Sequence, residues 1–153
     1  MSEAHTSTLV VSGRSMGFAI PIAHVVETMR PLAIDTISGV PSFVLGLSVI
    51  RGAPVPIVDL EDLVGLDRTD SFARFVSLRI GPRRVALAVR RVVGVRDLDA
   101  ISLAEMPPLV RALHTETIDK IGILDAQLLV VLRASKLLSE EAWLALSMRE
   151  SPS

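Results

Sequence analysis

The stretch from Val44 to Leu66, VLGLSVIRGAPVPIVDLEDLVGL, decides how this chain is read. An apolar run over 44–50 enters a tight Arg51-Gly52 corner. A second run, 54–58, leaves the corner and ends at Asp59. Two apolar runs joined by a two-residue turn with glycine read as a β-hairpin. Asp59 is a capping residue type, and Glu61 and Asp62 suit the positive end of a helix, so a short amphipathic helix should begin there. An arginine at a corner between two buried strands carries a charge the core cannot take. Its guanidinium must leave the fold, which makes Arg51 a candidate recognition contact.

The same residues resemble the central signature of the CheW-like coupling domain of bacterial chemosensory systems. That signature runs as Gly, three residues, a hydrophobe, Arg-Gly, two residues, then Val-Pro-hydrophobe-hydrophobe-Asp-Leu. Gly46, Ile50, Arg51, Gly52, Val55, Pro56, Ile57, Val58, Asp59 and Leu60 match it. The resemblance runs over nearly the whole chain, from Leu9 to Leu138.

Composition narrows the function classes. At 153 residues, the chain is expected to form a single domain over 1–153. Half of it is hydrophobic, yet the apolar runs are short, and none approaches the ~18 residues of a spanning helix. The N-terminus lacks a basic region followed by a long apolar core, so a cytoplasmic protein without direct membrane insertion is expected. With no cysteine, thiolate nucleophiles and cysteine metal sites are excluded. A net charge of −1 and 3% aromatics supply neither the field nor the stacking surfaces that nucleic acid needs. His5, His24 and His114 show no metal-ligand spacing. Gly46-Leu47-Ser48 lacks the second glycine of a nucleophile elbow, and Gly81-Pro82-Arg83-Arg84 reads as a hairpin turn rather than a phosphate loop. Asp59 and Asp62 are explained by the helix start. No catalytic residue, metal or cofactor is therefore expected, and the chain is not read as an enzyme.

The remaining residues favour strands, expected at 8–12, 18–22, 25–29, 44–50, 55–58, 74–80, 85–89, 92–95, 118–124 and 128–132. These form two copies of one pattern. Phe18 to Ile22 lies on Val85 to Val89 at an offset of 67, which also places Val25 on Val92 and Leu9 on Val76. Further on, Ile50-Arg51-Gly52 lies on Leu124-Asp125-Ala126 at an offset of 74, with Leu63 on Leu137. Five short strands per copy suit a small closed barrel, in which no sheet edge stays open. Sequence halves 8–66 and 72–138 are thus expected to form one barrel each, sharing an apolar interface. The segments 31–43 and 97–116 read as surface loops, with a helical turn at 109–113. A C-terminal helix is expected over 139–149, capped by Ser139, with Trp143, Leu144, Leu146 and Met148 on one apolar face. Arg79, Arg83, Arg84, Arg90, Arg91 and Arg96 could line up as a basic stripe on the second barrel, or be an ordinary solvated face.

The CheW-like resemblance implies the same fold class: mainly β, two five-stranded SH3-like barrels packed side by side, with short helices. It implies an adaptor that joins the cytoplasmic tip of a chemoreceptor to the regulatory domain of a CheA-type histidine kinase and is recruited to receptor arrays. Carried over by position, the partner-binding residues would be Val25, Glu27, Gly46, Val49, Arg51, Gly52, Val92 and Val95. Of these, Val25, Val92 and Val95 read equally well as core, and Gly46 and Gly52 as turn or packing glycines. Arg51 and Glu27 fit a core least and could pair with each other. The chain departs from the family at Val49, where Asn is usual, and at Arg133, where an acidic or amide residue is common. Two other readings stay open: a scaffold of a pathway other than flagellar chemotaxis, or a nucleic-acid-binding SH3-like protein. A small hydrolase is the remaining alternative.

Overall fold

A computed structural model describes residues 7–14, 16–67, 71–98, 102–103 and 115–150. Local turn chemistry sets the strands. Arg51 and Gly52 both take positive φ, 53° and 80°, the two-residue geometry that matches strand twist, and they join β4 (Val44–Ile50) to β5 (Ala53–Asp59). Asp125 and Ala126, with φ of 53° and 64°, make the equivalent corner between β10 (Ile118–Leu124) and β11 (Gln127–Leu132). Gly81 and Pro82 join β6 (Arg74–Ile80) to β7 (Arg83–Val89), as their hairpin reading required. The other strands are β1 (Ser7–Ser12), β2 (Gly17–Pro21), β3 (Val25–Met29), β8 (Arg91–Asp97) and the two-residue β9 (Ser102–Leu103). Asp59 caps α1 (Leu60–Leu63), its Oδ1 accepting from the Asp62 amide at 3.1 Å. The helical turn expected at 109–113, His5 and His114 lie outside the described residues.

The sheets do not follow the sequence halves. One sheet runs β3-β6-β7-β5-β4 and the other β8-β1-β2-β11-β10-β9, so each takes strands from both halves. The duplication is real all the same. Replacing each strand of the first sheet by its counterpart in the other copy gives β8-β1-β2-β11-β10, the order of the second sheet. Its pairing directions follow too: β5 pairs β7 in parallel, and so does β11 with β2. The cause is the shortness of two connections. Only the 3-10 turn Ile22–His24 separates β2 from β3, and only Arg90 separates β7 from β8. The single residue Arg90 cannot turn the chain back into its own sheet, and Ile22–His24 takes a 3-10 turn instead of a hairpin, so in both places the chain carries on into the other sheet.

The expected closed barrels are also corrected. Among the described residues, the strand orders are open, ending on β3 and β4 in one sheet and on β8 and β9 in the other. Asp35 covers part of the β4 edge, exchanging backbone hydrogen bonds of 2.8 and 2.9 Å with Leu47.

The described residues form three cores. The largest lies between the sheets and contains Phe18, Ile20, Val76, Leu78, Val85, Leu87, Val130 and Leu132. A second, with Leu45, Ile50, Val55, Ile57, Phe75, Ala86 and Ala88, fills the inner side of the five-stranded sheet. A third, Val10, Ala19, Leu129 and Val131, does so for the six-stranded sheet. Strands buried on both faces must be nearly all apolar, which accounts for the hydrophobic runs. Helix α2 (Glu140–Glu150) docks on the shared core through Ala142, Trp143 and Leu146. Its cap is Ser139, whose Oγ accepts from the Ala142 amide at 3.1 Å. Leu144 departs from the expected apolar face and is 64% exposed, because it lies a quarter turn away from Trp143. No helix among the described residues is long and apolar enough to cross a membrane.

Candidate protein-binding surface

Arg51 stands at the tip of the β4–β5 hairpin in the left-handed region, with its side chain exposed. From there it reaches Glu27 on β3. Its Nε donates to Glu27 Oε2 at 3.0 Å and its Nη2 to Oε1 at 2.8 Å. In the strand order, β3 and β4 are opposite edges. A direct contact between them means that the sheet is rolled until its edges meet. The ion pair closes the roll where no backbone ladder does. Arg84 on β7 stands beside it, its Nη2 donating to the Ile50 carbonyl at 3.5 Å, and its charge acts on Glu27.

The electrostatics follow from this geometry. The hydrogen bond from Arg51 holds the Glu27 carboxyl below its usual range, and burial opposes this only in part. The same hydrogen bond raises the guanidinium of Arg51. The pair stays wet on one side, with the Arg51 side chain 73% exposed and that of Glu27 26%. Arg51 spends Nε and one Nη2 hydrogen on Glu27, and Nη1 donates to none of the described residues. A free end of a planar donor fork, already oriented, is suited to an incoming carboxylate or carbonyl.

Aliphatic side chains flank the pair. Val49, two residues before Arg51, is 65% exposed; Val26, next to Glu27, is 49% exposed. Val26 escapes the sequence reading because two adjacent valines do not show by type which of them faces out; it also has no partner residue on β6, where the register shifts between Val25 and Glu27. The alternation of exposure nevertheless carries through, with Val26 outward between half-buried Val25 and Glu27. The repeat gives the signal that could have found it, since Val26 corresponds to Val93, the bulged residue of β8, itself 41% exposed. Arg84 was also missed as a member of this cluster; nothing in its local sequence marks it.

The other expected contacts are placed differently. Gly52 is exposed, with open space where a Cβ would stand. Val25 is half-buried and packs on the shared core. Val92 and Val95 lie on β8, in the other sheet from Arg51; Val92 packs on the core and Val95 is 55% exposed. Gly46 is a correction. It is buried with φ of +149°, and a Cβ there would stand 2.2 Å from the Asp35 carbonyl oxygen, so it admits the 31–43 loop and meets no visitor.

The basic stripe is broken up as well. Arg79, Arg83 and Arg84 belong to one sheet, and Arg91 and Arg96 to the other. Arg83 is held by Glu140 at 3.0 and 3.1 Å and lies 4.9 Å from the Trp143 ring centroid, while Arg90 donates to Ser71 Oγ at 2.8 Å. Ser48 is buried, its Oγ donating to the Ala33 carbonyl at 2.7 Å. His24 Nδ1 lies 3.3 Å from the Arg79 carbonyl oxygen.

Fold and surface together define a class: an internally duplicated two-sheet β protein that presents a pre-oriented ion pair among exposed valines. The chain belongs to the CheW-like domain family, whose model matches residues 7–142. It is 29% identical over 126 residues to the chemotaxis protein CheW of Klebsiella aerogenes, a match covering 81% of this chain and 76% of that protein. In structure it resembles the scaffolding protein TtCheW of Thermoanaerobacter tengcongensis, with a TM-score of 0.73 at 22% identity, over 91% of this chain and 96% of the other. The mainly β, SH3-like fold expected from the signature is thereby confirmed, with two open sheets in place of the two closed barrels.

Proposed function

We propose that this chain is a chemosensory adaptor that couples a chemoreceptor's cytoplasmic tip to the regulatory domain of a CheA-type histidine kinase. It acts by holding two proteins in fixed relation, with no bond made or broken. Membership of the CheW-like family supports the class. The observation that carries the assignment of the receptor site is the Arg51–Glu27 pair, exposed and flanked by Val26 and Val49. A helical receptor tip presents aliphatic and acidic side chains. Valines and a half-used guanidinium are complementary to both. Binding that rests on such a surface is strongest where the ion pair is already formed, since no side chain then has to be ordered on contact. The expected contacts Val25, Gly52, Val92 and Val95 belong to the same reading, Val25 and Val92 as the core-side support of the surface. Adaptor and partners would meet in the cytoplasm at receptor arrays.

Val49 favours a second reading, a scaffold serving a pathway other than flagellar chemotaxis. Its exposed apolar side chain stands where the family usually has an amide, so the receptor facing it would carry an apolar group instead. The test is pull-down with the receptors and kinases of the same cell, comparing wild type with Arg51→Glu. The variant sets two carboxylates against each other at the hairpin tip and should lose receptor binding while its circular dichroism stays native. Unchanged receptor affinity would remove Arg51 from the site.

A further inference from the structure

The internal repeat allows one end of the molecule to be read against the other. At one rim, Arg51, Glu27 and Arg84 draw the sheet edges together. Their counterparts at the other rim, by the two repeat offsets, are Asp125, Gly94 and Gly17. None of the three can rebuild the contact: the arginine at the tip has become an aspartate, and the two groups that met it have no side chain. The corner itself is also less well made there, since Ala126 takes φ of 64° where the other rim has Gly52.

Space opens where the clasp is missing. A cleft of about 220 Å³ lies between β8 and the β10–β11 tip, with Arg91 and Val93 on one wall and Leu124, Asp125 and Leu128 on the other. Arg91 and Asp125 carry opposite charges across it without an ion pair between them. Among the described residues, the two walls thus touch neither by ladder nor by salt bridge.

We infer that the rim around Asp125 is the compliant end of this protein, free to widen and narrow about its cleft, whereas the rim around Arg51 is held shut by its ion pair. The difference comes from three substitutions within one repeated pattern and does not depend on which partner the Arg51 surface takes. Residue-resolved amide hydrogen exchange of the native chain tests it, because exchange at a hairpin tip reports local opening. Protection at Leu124 and Gln127 should be lower than at Ile50 and Ala53, about two- to five-fold, the range a surface ion pair confers. Glu27→Gln should lower protection at Ile50 and Ala53 by a similar factor and leave Leu124 and Gln127 unchanged. Equal or greater protection at the Asp125 rim in the wild type would overturn the inference, as would an Arg51 rim that ignores the loss of Glu27.

Discussion

Replacing Gly46 by alanine separates a structural glycine from a partner contact. A Cβ at that position would stand 2.2 Å from the Asp35 carbonyl oxygen and 2.8 Å from Ile34 Cγ2. The first of these atoms is backbone and cannot rotate away, so the loop must retreat by roughly 1 Å to reach van der Waals distance. That retreat stretches the two Asp35–Leu47 hydrogen bonds, now 2.8 and 2.9 Å, each worth about 1 kcal/mol. The φ of +149° adds about 1–3 kcal/mol of backbone strain for a residue with a side chain. The sum, about 3–5 kcal/mol, is a large part of the ~5–15 kcal/mol that holds a domain together. Urea titration followed by the single tryptophan reads it directly. With a slope of roughly 1–3 kcal/mol per molar, the midpoint should fall by about 2 M at unchanged slope. Gly52→Ala serves as the control. Its φ of 80° also strains, but nothing lies within 4 Å of the added carbon, so it should cost only about 1 kcal/mol. If Gly46→Ala unfolds within about 1 kcal/mol of the wild type, the packing argument fails and a contact role for Gly46 returns.

Acid should dissolve the clasp. Because Arg51 holds the Glu27 carboxyl below its usual 4.5, the pair's stabilisation is fully present above that pH and is lost as pH falls through the lowered value. Wild type and Glu27→Gln should therefore differ in melting temperature at pH 7 and converge as pH drops below 4.5; a constant gap would contradict the linkage. Trp143→Ala removes a side chain only 8% exposed that α2 packs into the shared core, and should cost about 3–5 kcal/mol by thermal or chemical unfolding. Fragments 1–70 and 71–153 should each be unstructured by NMR and should regain native spectra when mixed, since both sheets need strands from both. A fragment that folds alone would mean that a half can close its own sheet after all.

Much of the fold is legible in the residues. The ten principal strands, the three tight corners, the Asp59 and Ser139 caps and the repeat all rest on interactions between neighbours in sequence, where hydropathy and turn chemistry act. The ion pair is legible in part: a charged residue at a corner must be exposed, and a glutamate stands on the strand whose place in the repeat is known. Its partner Arg84 is not legible, nor is the exposure of Val26, because two adjacent valines do not show by type which of them faces out. The burial of Gly46 depends on a loop eleven residues earlier in the chain, which pattern reading takes simply as surface.

By itself the sequence determined where strands begin and end and that they come twice, since each of those features is settled within a few residues by local conformational preference. Tertiary structure alone decided which strand lies beside which. The three-residue step from β2 to β3 and the single residue from β7 to β8 send each copy across into the other's sheet, and backbone hydrogen bonds do not record which copy a strand came from. It also decided that one rim is clasped and the other open, because a salt bridge between opposite sheet edges exists only once the sheet has rolled far enough for Arg51 to reach Glu27.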